Sequence, residues 1–314
     1  MSLVIIEADL TNSKSQKVQE LQNSMTAFRV ATKVRRTEIM SEIKPGIYRN
    51  VKITDYHTGA GLSATGLCEL MRSPLHYITS LKTPHKETPA LKLGTATHCA
   101  ILEPKRFAND YIKAGNLDRR TKEGKAAWLE IEQTGKIVLT PDEYNKVTSM
   151  VSAIQNHEVA SKLLSNGLAE HSVFWNEDIY SLNTDISILC KSRPDYIKSL
   201  SDGYIIIDLK TAQDAETKEF QRKAYFKYFY HIQAGHYLNG FEKLTGEKVL
   251  AYIYVVIENE PPYAINIFRA SQDFLNAGRS KARELYELYA SCKKTNNWPC
   301  YSSEIKDLNL PKGV

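Results

Sequence analysis

Two aspartates and one lysine between Cys190 and Thr211, CKSRPDYIKSLSDGYIIIDLKT, are the side chains best placed to do chemistry. Tyr204 to Ile207 is aromatic and β-branched, and the polar SLSDG run before it marks a turn from a preceding strand ending near Tyr196 and Ile197. Asp195 then lies across a hairpin from Asp208. Side chains alternate along a strand, so Asp208 and Lys210 share one face and Leu209 points to the other. Two anions and a cation at the end of an apolar strand are costly to bury unless they hold a metal or one another. Hard oxygen ligands of this kind suit Mg²⁺, which keeps several waters available for attack. The plainer alternative is a surface hairpin with an exposed ion pair between Asp208 and Lys210, worth at most about 1 kcal/mol.

Other elements must position this hairpin. Ala90 to Pro104, ALKLGTATHCAILEP, carries a helical stripe at Leu93, Ala96, Thr97, Ala100 and Ile101, and its small residues let the helix pack closely on a sheet. His98 sits within it, either as a satisfied core histidine or as a ligand. Gly167 to Trp175 reads as one strand carrying Glu170, by itself a strand-face carboxylate exposed to water. After Thr211 the pattern predicts one long helix from about Glu216 to Leu244. Gln233 and Tyr237 are four apart and share its face, with Tyr230 near the same stripe. Ser63 and Ser73-Pro74 open two helices, Thr140-Pro141 opens one running to about Leu164, and Ser271 caps a last one to about Lys294. Pro45 to Gly61 reads as strand and loop. Lys248 to Ile257 and Tyr263 to Ala270 form a second hairpin.

Arg193-Pro194-Asp195 followed by Asp208-Leu209-Lys210 resembles the signature of the PD-(D/E)XK nuclease superfamily. GTATHCAILEP is similar to the GxxxH helix of its RecB and RecE branch, and QAGHY, from Gln233 to Tyr237, to the QxxxY motif one helix beyond the lysine. GLSATGLCELMRSPLHYITSL resembles the first helices of the exonuclease VIII (RecE-type) nuclease domain, and the likeness covers most of residues 46 to 300. It implies an α/β (mixed α+β) fold with a restriction-endonuclease-like core, a central mixed sheet flanked by helices. It also implies a metal site of His98, Asp195, Asp208 and the Leu209 backbone carbonyl. Catalytic roles fall to Asp195, Asp208, Lys210, Gln233 and Tyr237, with Glu170 beside the pocket.

Phosphodiester hydrolysis needs an oxygen nucleophile, neutralisation of the charge building on the phosphoryl oxygens, and help for the leaving 3' oxygen. Mg²⁺ on the carboxylates answers those needs, and a histidine ligand leaves Mn²⁺ as an alternative. To act as a general base at neutral pH, Lys210 would have to fall from about 10.4 to near 7, roughly 4 to 5 kcal/mol, which nearby carboxylates oppose. A charged positioner of water and phosphate is the better reading. Arg193, Arg119, Arg120 and Lys223 are the expected DNA-phosphate contacts, each with a salt bridge or a solvated face as the alternative. The resemblance further implies linear duplex DNA ends as substrate, degraded 5' to 3' to leave a 3' strand for an annealing recombinase. It implies a homo-oligomeric ring of three or four copies. The competing readings are an endonuclease or nickase of the same superfamily and a non-catalytic DNA-binding recombination-accessory protein.

Composition narrows the field. The chain has 314 residues, 42% hydrophobic and 25% charged, as expected of an ordinary globular protein. A net charge of +5 is too mild to argue for nucleic acid by itself. No apolar run reaches membrane-spanning length and no secretory leader is visible, so a cytoplasmic protein is expected. Five cysteines without a CxxC pair argue against a disulfide framework, a zinc site or an iron-sulfur cluster, and for buried inert thiols. Residues 1–45, with Lys33, Arg35 and Arg36, read as a polar arm. Residues 46–314 read as one domain with its catalytic core at about 90–270.

Overall fold

Serine, threonine and proline set the helix boundaries. Ser63 Oγ accepts from the Gly66 N–H, Ser73 Oγ from His76 and Ser271 Oγ from Phe274, while Thr140 and Glu143 close a reciprocal capping box. In the computed structural model, which describes residues 43–83, 88–115, 120–181 and 184–309, these starts sit within an alternation of helices and strands. The elements are β1 (Gly46–Tyr48), α1 (Ile53–Thr58), α2 (Ala64–Arg72), α3 (Pro74–Ser80), α4 (Pro89–Leu102), α5 (Pro104–Asp110), β2 (Tyr111–Lys113), α6 (Lys122–Gln133), β3 (Ile137–Leu139), α7 (Pro141–Asn156) and α8 (Glu158–Leu163). They continue as β4 (Leu168–Ala169), β5 (Ser172–Ser181), β6 (Thr184–Ser192), β7 (Tyr196–Leu200), β8 (Gly203–Ala212), α9 (Thr217–Phe226), α10 (Tyr230–Thr245), β9 (Val249–Glu258), β10 (Ile265–Arg269) and α11 (Gln272–Thr295). The arm's basic cluster at Lys33, Arg35 and Arg36, and Arg119, lie outside the described residues.

The central sheet is five-stranded and mixed, in the order β10-β9-β8-β7-β4, with β8 and β9 parallel and the other neighbours antiparallel. The parallel pair needs a crossover, supplied by α9 and α10. One face of the sheet, through Ile207, Leu209, Val255 and Ile257, packs on Leu102 of α4 and on Met150 and Ile154 of α7. The other, through Ile206, Tyr252, Tyr254 and Val256, packs on α9 and α10. A second, three-stranded sheet in the order β1-β5-β6 carries Val173, Trp175, Ile188 and Cys190 into a core with α2, α10 and α11. Helices α10 and α11 touch at backbone distance, since a Cβ on Gly278 would overlap the His231 carbonyl.

Five elements differ from the sequence reading, the first being the helix expected from Thr140 to about Leu164, which breaks at the extended His157 into α7 and α8. The strand before the hairpin begins at Tyr196 and continues to Leu200, where it was expected to end near Ile197. Gly167 to Trp175 is two strands in different sheets, because Glu170 adopts φ +53° and turns the chain between them. The long helix after Thr211 breaks at Phe229, also left-handed at φ +53°. Pro45 to Gly61 contains α1 as well as a strand. Of the thiols, Cys99, Cys190 and Cys292 are buried as expected, whereas Cys68 is half-buried and Cys300 exposed.

Candidate active site and metal centre

Register places the carboxylates. Ala169 pairs with Tyr196 and Tyr196 with Ile207, so one row crosses β4, β7 and β8. The next position along each strand is Glu170, Asp195 and Asp208. The Glu170 N–H donates to the Asp195 carbonyl at 2.9 Å, holding the first two together just beyond the ladder. A non-glycine residue at φ +53° costs of order 1 kcal/mol or more, and here that strain turns a carboxylate toward its neighbours.

His98 comes from α4 on the opposite side. Its Nδ1 lies 3.6 Å from Asp195 Oδ2, and ligand atoms of His98, Glu170 and Asp195 all fall within 4.8 Å of one another. The same Asp195 oxygen accepts the Leu209 N–H at 2.7 Å, which fixes the aspartate against β8. Asp208 is deeper, at 2% exposed, and takes the Tyr252 hydroxyl on Oδ2 at 2.9 Å. Its Oδ1 has no hydrogen-bond partner among the described residues, although Lys210 Nζ stands 2.7 Å away. The ammonium stands there as an ion pair and also donates to Gln233 Oε1 at 3.1 Å. Gln233 also bonds the Tyr237 side chain, and Lys210 Nζ sits 4.5 Å above the Tyr230 ring.

Burial and crowding of like charges set the protonation. Burial, then the charge of Asp195, pushes the Asp208 carboxyl up to about 7 against the pull of Lys210. Asp195 moves the other way: burial raises it, but His98 and Lys210 outweigh that and hold it well below the usual carboxylate range. Burial, then Asp195, raises Glu170. Burial would lower Lys210, yet Asp208, Tyr230 and Asp195 leave it above the ordinary lysine value, so it is an ammonium at neutral pH. His98 is likewise raised, burial being overcome by Asp195.

These residues fit a divalent cation. The set is rich in carboxylate oxygen with one imidazole, and its three carboxylates outnumber the two fixed cations, Lys210 and Arg193, that pair with them. Such a cluster is costly without a cation and matches hard-ion ligation. Imidazole must lose its proton to coordinate, so ion and proton compete at His98.

The remaining expected residues are placed differently. Arg193 is 7% exposed and donates to Glu170 Oε2 at 2.7 Å, to the Val51 carbonyl at 2.9 Å and to Ser172 Oγ at 3.1 Å. Its guanidinium is enclosed and aligns Glu170, the salt-bridge alternative rather than an open phosphate contact. Lys223 pairs with Glu219 on its own helix at 2.9 Å. Arg120 is exposed just before α6. Leu209 turns its side chain into the core beneath the sheet.

Sequence reasoning missed Tyr252, whose place beside Asp208 depends on the parallel register of β8 and β9. It also missed two scaffold groups. Lys191 is buried on β6 and donates to the carbonyls of Tyr56 and Gly59, at 2.7 and 2.5 Å, closing the C-terminal end of α1. His236 Nε2 lies 2.9 Å from the Lys191 carbonyl and Nδ1 2.7 Å from the Tyr286 hydroxyl, so a neutral ring donates to the first and accepts from the second. His236 lies on a largely apolar helix, whereas strand alternation puts Lys191 on the face opposite Ile188 and Cys190, and nothing in either pattern names their partners.

A mixed sheet flanked by helices, with an aspartate and an Asp-x-Lys on adjacent strands, defines the class of PD-(D/E)XK nuclease folds, whose members depend on divalent metal. Within it the chain belongs to the family of the PDDEXK-like domain of unknown function (DUF3799), whose model matches residues 63–310. A crystal structure from Eubacterium rectale, named "Putative exonuclease", is similar at a TM-score of 0.55 and 14% identity, covering 84% of this chain and 97% of its own. The structure of SSO0001 covers 76% of this chain and 88% of its own at 16% identity, but its TM-score of 0.27 carries no argument. No curated protein matches in sequence.

Proposed function

We propose that the chain is a metal-dependent exonuclease that hydrolyses linear double-stranded DNA from its ends, 5' to 3', with Mg²⁺ as the working ion. The observation that carries this reading is the convergence of His98, Glu170 and Asp195, whose ligand atoms lie within 4.8 Å of one another, beside Asp208 and its partner ammonium Lys210. His98, Asp195 and Asp208 would hold the ion, with Glu170 beside them and the Leu209 carbonyl as a further oxygen. A bound divalent ion supplies Lewis acidity toward the phosphoryl oxygens and a water of lowered pKa. Lys210, kept protonated by Asp208, orients the scissile phosphate and the attacking water, and Gln233 and Tyr237 hold Lys210 in place. Degradation from ends, rather than internal cutting, is supported by the name of the Eubacterium rectale neighbour and by the RecE-type motifs. A ring of three or four copies, and delivery of the 3' strand to an annealing recombinase, belong to the same proposal.

End-labelled linear duplex incubated with Mg²⁺, with chelator, and with Asp208→Ala tests the reading directly. Nucleotide release from the 5' end with Mg²⁺ alone is expected, with at least a thousandfold loss in the variant and DNA binding retained. Full activity in the variant would mean that the wrong carboxylate has been chosen. Degradation of a covalently closed circle would replace the exonuclease with an endonuclease.

A further inference from the structure

The break between α9 and α10 exposes a group of flat rings beside the site. Residues 223–230 read KAYFKYFY, with a lysine or an aromatic ring at every position but one. The Lys223 carbonyl accepts both the Lys227 and Tyr228 N–H groups, ending α9, and Phe229 at φ +53° then redirects the chain into α10. A bulky residue is held in this conformation only where surrounding structure over-determines it, and Phe229 is anchored by packing against the core under the second sheet. As a result Tyr230 turns in toward Lys210, while Tyr225, Phe226 and Tyr228 turn out, at 40%, 71% and 44% exposed.

The rings fall into two adjacent groups, one running outward from the chemistry through Tyr230 to Tyr228 and the other pairing Phe226 with Tyr225, which stacks on His231. Lys210 Nζ lies 4.5 Å from the Tyr230 ring, and Tyr228 stacks on Tyr230 at 5.3 Å with 20° between the planes. Lys227 Nζ stands 5.2 Å from the Tyr228 ring, and Tyr225 holds Phe226 edge-on at 4.9 Å. Exposed aromatic faces beside an ammonium group bind single-stranded nucleic acid: the rings stack on bases and the cation meets phosphate. A paired base offers neither face inside a duplex, so this surface is suited to unpaired nucleotides.

We propose that Tyr228 and Phe226, with Lys227, form a stacking platform for unpaired bases of the DNA strand leaving or entering the active site. The proposal rests on the nuclease reading for its biological purpose, though not for its binding chemistry. A protein that trims one strand of a duplex generates single-stranded DNA at its own site, and a platform one ring beyond Lys210 grips that strand against re-pairing.

The test uses a short single-stranded oligodeoxythymidylate bearing one 2-aminopurine, mixed with the full chain in chelator so that no strand is cut. Quenching of the base on binding is expected. Phe226→Ala and Tyr228→Leu should each weaken binding about fivefold or more, the factor for the lower end of base-on-ring stacking. Lys227→Gln should reduce the salt slope by about 0.7. No quenching with the wild-type chain, or affinities within twofold of wild type in both ring variants, overturns the platform. Unchanged affinity with a lower particle mass by light scattering would overturn it in favour of an interface between copies. Ring-dependent binding by a chain that cuts no DNA with any divalent ion would leave the platform standing and sink the nuclease reading.

Discussion

Lys191 is buried and Lys210 half-buried, on strands of different sheets, and they lean in opposite directions. Lys191, on the three-stranded sheet, meets backbone carbonyls and the Tyr56 ring, and burial draws its amine down to about 8. Lys210, on the central sheet, is also pushed down by desolvation but faces Asp208 and Asp195, and its amine rises above the usual value. Burial alone therefore does not identify a chemically active lysine. The distinguishing feature is the neighbouring anions, which keep a cation in place where a phosphate would arrive. In the scaffold the same ammonium ties down a helix end, with no anion of its own to answer for.

Replacing each lysine by methionine sharpens that contrast. Lys210→Met removes the positioned charge, and cleavage should fall about 10²- to 10³-fold, comparable to deleting one charge-stabilising donor from an enzyme site. Its stability cost should stay modest, since Asp208, already pushed up to about 7, can take a proton when its partner is lost. Lys191→Met should do the reverse. It strands the carbonyls at the end of α1 and costs about 2 to 4 kcal/mol in urea unfolding, with the turnover of the folded fraction nearly unchanged. If both variants lost activity and stability in parallel, the division of labour between the two lysines would be wrong.

Much of the central region could be read from the residues because its chemistry repeats locally. A hairpin fixes Asp195 opposite Asp208 through pairing a few residues long, and i to i+4 spacing puts Gln233 and Tyr237 on one helix face. Caps at Ser63, Ser73, Thr140 and Ser271 set helix starts within one turn of their own sequence. What escaped were decisions made between distant segments. Glu170 and Phe229 break their elements at positive φ, where propensity favours continuing, because contacts with Asp195 in one case and the second core in the other hold them there. Arg193 reads equally as a phosphate contact or a hairpin-edge salt bridge until Val51 and Ser172, far apart in sequence, are brought around it.

The histidines repeat the lysine comparison and yield the smallest effect. His98 faces carboxylates and is raised, whereas His236 sits between a carbonyl and a tyrosine hydroxyl, and burial lowers it to about 4 from an ordinary 6.5. Between those two values the unfolded chain binds the proton more readily than the folded one. The contribution of His236 is thus complete above about pH 6.5 and declines as pH falls toward 4. From pH 7 to pH 5 the loss should be roughly 2 kcal/mol. Asp208 works against it, since a carboxyl raised to about 7 binds its proton in the folded state first and gains stability on acidification. The two slopes overlap, so the wild-type curve alone cannot separate them. Urea unfolding of wild type and His236→Asn at both pH values isolates the histidine: the variant should start less stable and lose less on acidification. An equal acid-induced loss in the two proteins would show that His236 is already free to take a proton where it lies.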